Sequence, residues 1–467
     1  MKKISILLAA ILLMMCVTTV LADTPADVSV SGGCSTLNAQ MPVLGSVQLV
    51  SNTAAAILYE TNTDTLMYAY NADTQVQPAS LLKIMTALIA VEKGSMDDAV
   101  TVRAETLDIL PVDAAVVGLE IDEVLTVNDL LYCMMVSSGN DAAVVLAEHI
   151  MGTQEAFVAE MNRYAAELGC KGTNFTNVTG LYDKNQYTTA RDVARILSKA
   201  IENAQFQQVF GTKTYDVPKS NKSEVRNLAT QNYLINNDRV EIYYDERVTG
   251  GRTAVNNDRT RSVASTAQSN GMDLICIVIG SRSQFEKDGY TEKVFGGYDE
   301  TKQLLDLAFN GYKTAQVLFA GQILQQNSVL NGNCDVSVGI KDPVYSVIPQ
   351  NMDLNSLDFR YADDGGLNAP VEKGQKLSSL QIWNGPICIG QTDTYAMNSV
   401  AVAGAELSED AARNGKTSVF VIILCVLGGF FVAILVAFLI LFCLRRYRIA
   451  KVKVQNRQLS RNRRRSR

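Results

Sequence analysis

The order of apolar and polar positions divides this chain into blocks. Residues 54–59 and 65–70 are apolar runs rich in β-branched and aromatic side chains, separated by Asn62, Thr63 and Asp64, and they predict a hairpin. Apolar residues then recur at helical spacing over 80–93, ending at Gly94, and over 126–136, where Thr126 and Asp129 resemble a capping box. Further amphipathic helices are predicted over 141–150, 153–168 with Gly169 as its stop, and 189–203. Strand patterns return at 240–245, 262–268 and 274–280, the last two joined through Asn270-Gly271, a strong hairpin signal. A helix over 298–312 closes this part. A strand pair, a block of helices and more strands predict an α/β sandwich, an α+β arrangement whose antiparallel sheet draws on both ends of the segment.

From Val317 the pattern changes to short strand-like runs at 336–338, 344–348 and 380–383, which predict a small all-β domain ending near Val402. An Ala/Gly/Glu-rich stalk fills 403–416. The expected organisation is therefore a leader over 1–22, a linker over 23–45, a first domain over 46–314, a second over 315–402, and the stalk.

The two ends change the picture. Lys2 and Lys3 precede an uncharged apolar run, and Val20-Leu21-Ala22 suits cleavage before Asp23, so a signal peptide and export are expected. Residues 417–444 carry no charged side chain and are long enough to cross a hydrocarbon layer of about 30 Å. The 23 residues after them carry eleven Lys or Arg and no acid, which orients this single transmembrane helix with its tail, 445–467, in the cytoplasm and 23–416 outside. The expected location is the cell membrane. With leader and tail set aside, the outer part carries a net charge of about −19, which argues against nucleic acid as a partner. Its six cysteines, Cys34, Cys133, Cys170, Cys276, Cys334 and Cys388, lack C-x-x-C spacing, so no metal site and no cofactor is indicated, and disulfide pairing is not legible.

The chain contains one histidine, His149, late in a predicted helix where a packing or surface role is the ordinary one. A Ser-His-Asp triad is thereby nearly excluded, and a lysine base is the remaining common way to activate a hydroxyl. Ser80 and Lys83 supply the pair: three residues apart on a helix, their side chains share one face. A lysine in partial burial can lose its proton near neutral pH, and a serine opening a helix behind Pro78-Ala79 can offer its own N–H to an oxyanion. Alone, Ser-x-x-Lys is ordinary helix-start decoration. Two further clusters follow in order. Ser138-Gly139-Asn140 breaks two apolar helices, and Gly250-Gly251-Arg252-Thr253-Ala254 precedes a strand and offers a cation and a hydroxyl beside small residues.

Taken together, Pro78-Ala-Ser-Leu-Leu-Lys-Ile-Met-Thr-Ala87, Gly118-Leu-Glu-Ile121, Thr126-Val-Asn-Asp-Leu-Leu131, Ser137-Ser-Gly-Asn-Asp-Ala-Ala143 and Thr189-Ala-Arg-Asp192 resemble the D-alanyl-D-alanine carboxypeptidases among the low-molecular-weight penicillin-binding proteins. The likeness covers roughly 46–312 and extends more weakly through Asn368-Ala-Pro-Val-Glu-Lys-Gly374 and Ile387-Cys-Ile-Gly-Gln391. It implies the penicillin-binding/β-lactamase-like transpeptidase fold, removal of the terminal D-alanine from peptidoglycan stem peptides through an acyl-enzyme, and covalent capture by β-lactam antibiotics. It further implies Ser80 as nucleophile, Lys83 as base, Ser138 as proton relay to the leaving amine, and Asn140 as holder of Lys83 and of the substrate amide. The family's third motif is Lys-Thr-Gly. Counting back through an ungapped strand pair from Asn270 puts Arg252-Thr253-Ala254 in that place, with Val248-Thr249-Gly250 as a decoy whose cation would be Arg247. Arg252 would then receive the substrate carboxylate, Thr253 would contribute its hydroxyl, and the N–H of Val255 would complete the oxyanion hole.

Two other readings compete. A serine β-lactamase-like hydrolase shares these motifs but needs a glutamate-activated water, for which Glu160-Met-Asn162 is the one candidate. A non-catalytic peptidoglycan-binding relative would accommodate the altered third motif, although Ser80, Lys83, Ser138 and Asn140 are all present.

Overall fold

The computed structural model describes Leu37, residues 42–45 and 47–49, and residues 52–404 apart from 239, 257, 288–291 and 363–365. The expected leader, most of the linker and stalk, the membrane helix over 417–444 and the basic tail lie outside the described residues. Among those described, no helix is long and apolar enough to cross a membrane.

The first hairpin forms as the pattern predicts: β1 (Ala55–Glu60) and β2 (Thr65–Tyr70) pair antiparallel around Asp64, whose φ is positive. They do not make a sheet alone. Three later strands, β3 (Val248–Val255), β4 (Thr260–Ser269) and β5 (Met272–Arg282), complete a five-stranded antiparallel sheet in the order β2-β1-β5-β4-β3. β1 lies against β5 with Ile57 opposite Ile277, so strands far apart in the chain share the centre. Asn270 and Gly271 both take positive φ at the β4–β5 turn, the backbone that a two-residue hairpin with the sheet's own twist requires. β3 is one edge of this sheet, opposite β2. Its pairing with β4 is interrupted by a bulge between Val248 and Gly250, so the strand pair is not ungapped as the sequence count assumed.

One sheet face is covered by helices. These are α1 (Lys83–Lys93), α2 (Val127–Val136), α3 (Asn140–Met151), α4 (Gln154–Glu167), α5 (Ala190–Ala200) and α6 (Ala204–Phe210). Three begin at threonine caps, with Thr126, Thr153 and Thr189 accepting the N–H three residues on. Thr126 also donates to the Asp129 carboxylate, so the predicted start is closed reciprocally. Ile57, Ile277, Leu88, Leu131 and Leu197 meet in the core of this face. Alternate residues of the same strands, Leu58, Cys276 and Val278, point the other way and are covered by α7 (Tyr298–Gly311).

The strand expected over 240–245 is absent. Glu241–Tyr243 instead forms a single 3-10 turn. The physical reason is where its groups go: Tyr243 buries its ring against Phe295 and Tyr298, while the carbonyls of Ile242 and Tyr244 accept from Lys302.

α7 runs directly into β6 (Tyr312–Leu318), the first strand of the β-rich part, which pairs with β9 (Val344–Pro349). A second sheet has the order β7-β8-β12-β11-β10, from β7 (Ile323–Asn327), β8 (Val336–Gly339), β10 (Asp358–Tyr361), β11 (Lys376–Asn384) and β12 (Ile387–Ala396). Val317, Ile340, Ile348, Leu380 and Ile382 form its core.

Candidate functional site

Three separate stretches of chain converge at the edge strand. Ser80 sits in a 3-10 turn, Ala79–Leu82, that leads straight into α1, so the helix predicted from residue 80 becomes regular at Lys83. The turn keeps Ser80 and Lys83 on one side. Lys83 is completely buried, and its ammonium group donates to Asn140 Oδ1 at 2.6 Å and to the carbonyl of Thr179 at 2.7 Å. Burial pushes this amine well below the ordinary lysine range, the nearby Arg252 charge pushes the same way, and Asp141 opposes both. Such a lysine can act as a proton acceptor.

Ser138 lies in the break between α2 and α3 with φ of +63°. That conformation turns its hydroxyl towards Ser80, 3.3 Å away, and places Asn140 at the first residue of α3, facing Lys83. Arg252 enters from β3 and is buried. Its Nη2 donates to Ser138 Oγ at 2.6 Å, its Nη1 to the carbonyl of Met135 at 2.6 Å, and its Nε to the carbonyl of Ser80 at 3.2 Å. Burial pushes its guanidinium down to about 10. Two hydrogen-bonded groups therefore make up the network here: Lys83 with Asn140 and the Thr179 carbonyl, and Arg252 with Ser138 and Ser80, the two held side by side by the turn that carries Ser80 into Lys83.

The alternative cation is engaged elsewhere. Arg247 binds Asp245 at 2.6 Å and Asp306 at 2.5 Å, away from this network, and Thr249 shares a hydroxyl bond with Thr266. Thr253 and Val255 alternate with Arg252 and Ala254, so their side chains leave the strand on the opposite face. Thr253 is half-buried and Val255 exposed at the far end of the edge strand. The residues expected to bind substrate are therefore brought together only in part: Arg252 meets the serine cluster through its side chain, whereas the part expected of Val255 rests on its backbone alone.

Two further residues complete the site that composition alone does not reveal. Thr179 contributes a carbonyl, which no residue type announces. Asn177 shapes it, its Oδ1 accepting the N–H groups of Thr179 (3.2 Å) and Gly180 (2.8 Å). Gly180 has φ of +84°, and a Cβ there would lie 2.1 Å from the carbonyl oxygen of Ala79, so this loop packs directly on the peptide that carries Ser80. The available signal was Asn177 preceding Gly180 by three residues, a turn pattern.

His149 stands apart, 3.7 Å from Asp98. Glu160 is held by Arg163 and Lys93, which pull its carboxyl down to about 2, and Asn162 is spent on the backbone of Phe175. A carboxylate so paired is not poised to activate water. Among the described residues, no group of three or more His, Cys, Asp or Glu is placed to hold a metal ion.

Comparison with known proteins converges on the same chemistry. Residues 45–283 match the family model described as D-alanyl-D-alanine carboxypeptidase, and residues 312–402 match the penicillin-binding protein 5 C-terminal domain. The chain is 30% identical over 358 residues to D-alanyl-D-alanine carboxypeptidase DacA of Haemophilus influenzae, spanning 74% of this chain and 85% of that protein. It is 27% identical over 361 residues to DacF of Bacillus subtilis, spanning 76% and 88%. The crystal structure of penicillin binding protein 5 from Haemophilus influenzae superposes with a TM-score of 0.61 at 28% identity, covering 76% of this chain and all of that one. With a buried lysine, two serines and an asparagine gathered beside an edge of the matching sheet, the chain belongs to the D-alanyl-D-alanine carboxypeptidase family, serine peptidases of the penicillin-binding protein 5 type that act on peptidoglycan.

Proposed function

We propose that Ser80 is the nucleophile of this carboxypeptidase and Lys83 its base. Lys83 takes the Ser80 proton as Oγ bonds to the carbonyl carbon of the penultimate D-alanine. The amine of the terminal D-alanine then leaves with a proton delivered through Ser138, and the peptide C–N bond breaks. Water attacks the resulting ester and frees the shortened peptide. The observation that carries this reading is the full burial of Lys83, held by Asn140 and Thr179 with Arg252 at its side, because it leaves a lysine that gains little by staying charged.

The substrate class follows from the family, and a stem peptide ending in two D-alanines is the specific substrate proposed. Penicillins, whose strained amide mimics that terminus, should acylate the same oxygen. Arg252 sets the positive field that a terminal carboxylate meets, although three of its five N–H groups already serve protein acceptors. The N–H groups of Ser80 and Val255 are proposed as the oxyanion donors. We also propose that the chain is exported, cleaved before Asp23 and tethered by 417–444, with the basic tail inside; the uncharged run and its eleven following cations support this.

Incubating the protein with a diacyl pentapeptide ending in two D-alanines tests the reaction, and release of free D-alanine is expected. A fluorescent penicillin should label the parent and leave Ser80→Ala unlabelled, with a nearly unchanged thermal midpoint. Labelling that persists in that variant moves the nucleophile elsewhere. Rapid turnover of the drug would favour the β-lactamase-like reading, against which the pairing of Glu160 speaks.

A further inference from the structure

Behind the reacting groups lies a buried carboxylate that the reaction scheme does not use. Asp141 follows Asn140 in the first turn of α3 and is 2% exposed. Its oxygens accept the backbone N–H groups of Val117 (3.0 and 3.1 Å), Gly118 (3.0 Å), Leu119 (3.1 Å) and Ala142 (2.9 Å). Three of those donors belong to one segment, and that segment returns to the site: the carbonyl of Ala115 accepts the N–H of Asn140 at 2.8 Å. Asn140 in turn holds Lys83. A closed circuit therefore runs from Asp141 through 115–119 to Asn140 and Lys83.

Apolar burial anchors this segment at Leu119, while Val116 is exposed, as are Ile109 and Val112 on the chain leading into it. Polar bonds hold the rest. On its far side Arg226 donates to the carbonyl of Gly118 at 2.9 Å and pairs with Glu123, which also accepts the N–H of Glu120. The segment is clamped between an inner anchor at Asp141 and an outer one at Glu123 and Arg226. Only the inner anchor is also a charge near Lys83, opposing Arg252; Asn140 and the Thr179 carbonyl, the other groups bonded there, are neutral.

We propose that Asp141 is a positioning residue of the reaction: it fixes the 115–119 segment as the wall of the cleft beside Asn140, and thereby sets where Asn140 holds Lys83. The proposal rests on Lys83 acting as base to Ser80.

The test is single-turnover acylation of the full chain by a fluorescent penicillin, followed from acid to alkaline pH, with thermal midpoints for every variant. Asp141→Asn keeps the shape and removes the charge. Acylation should slow by roughly ten- to a hundredfold, the size of effect a small misplacement of a reacting group produces. The acid limb of its pH profile should move to lower pH, because the charge favouring protonated Lys83 is gone. Asp141→Glu, which keeps the charge and shifts its place, should slow acylation with the limb unmoved. Glu123→Gln loosens the outer anchor only, and it too should leave the limb where the parent has it. If Asp141→Asn acylates at the parental rate with the parental limb, the proposal is wrong. Should neither Asp141 variant fold, amide exchange in the parent decides: the Val117, Gly118 and Leu119 amides should exchange more slowly once Ser80 is acylated, and exchange unaffected by acylation overturns the proposal. A parent that is never acylated would instead defeat the Ser80 reading itself.

Discussion

Arg252 and Ser138 meet at 2.6 Å in a bond whose direction is fixed, because a guanidinium can only donate. Ser138 Oγ is therefore the acceptor, and its own hydrogen is left to point at Ser80 Oγ, 3.3 Å away. The cation sets the direction in which the Ser138 hydroxyl faces. Arg252→Ala should lose both this orientation and the field at the carboxylate site. Bonds to charged groups are worth about 1.5–3 kcal/mol, so a fall of roughly one to two decades in kcat/KM is expected. Arg252→Lys should recover much of it as a point charge. A substrate with an amidated C-terminus should be poor for the parent and hardly worse for the alanine variant. Equal losses in both enzymes would mean that the carboxylate is held by another group.

Lys83 gives a pH signature that is separate from activity. Its pKa is lowered on folding, so between that lowered value and about 10.4 the unfolded chain binds a proton that the native chain does not. Stability from this group is thus fully present above about 10.4 and declines as pH falls through that window. Lys83→Met removes the dependence together with acylation. The midpoint of the variant minus that of the parent should rise as pH is lowered from about 10.4, then level off. A difference that is flat with pH would show that the amine stays charged in the native state.

Gly180→Ala tests the loop behind Ser80. The added methyl would meet the Ala79 carbonyl at 2.1 Å, in a backbone conformation that itself costs about 1–3 kcal/mol for a residue with a side chain. A lower thermal midpoint and slowed penicillin labelling are expected together. A lower midpoint with the labelling rate intact would mean that the loop supports the fold and not the placement of Ser80.

Glu160→Gln should leave the lifetime of the penicilloyl-enzyme unchanged, since the carboxylate is already committed to Arg163 and Lys93. A longer-lived adduct in that variant would assign it the water-activating part after all.

Protease added to intact cells should digest the outer part and spare a tag placed after Arg467. Loss of the tag from outside would reverse the proposed orientation.

Much of this site could be read from residue order because its chemistry resides in side chains. Ser80 and Lys83 are one turn apart, and Ser138 with Asn140 marks a helix break, so type and spacing sufficed. Counting strand positions selects Arg252 over Arg247, and the bulge at Val248 and Gly250 does not disturb that count because it lies on the N-terminal side of Arg252. What sequence did not reveal is carried by backbone groups. The Thr179 carbonyl and the N–H groups of Val117, Gly118 and Leu119 have no residue-type signature. The missing strand at 240–245 has a related cause: Lys302 takes the carbonyls of Ile242 and Tyr244, a tertiary contact that local alternation does not encode.

The mixed parentage of the central sheet imposes an order of events on the growing chain. Ser80 and the Arg252 that binds its carbonyl are 172 residues apart, and β1 cannot be flanked on both sides until β5 exists. A chain made from its N-terminus therefore carries Ser80 and Lys83 long before β3, and the Asn270-Gly271 turn with β5 comes later still. Long-range pairing of this kind is slow to form. The consequence is one of timing: if Ser80 and Lys83 react as proposed, the partly made protein holds them without the strand whose Arg252 binds Ser80, and competence arrives only with the finished sheet.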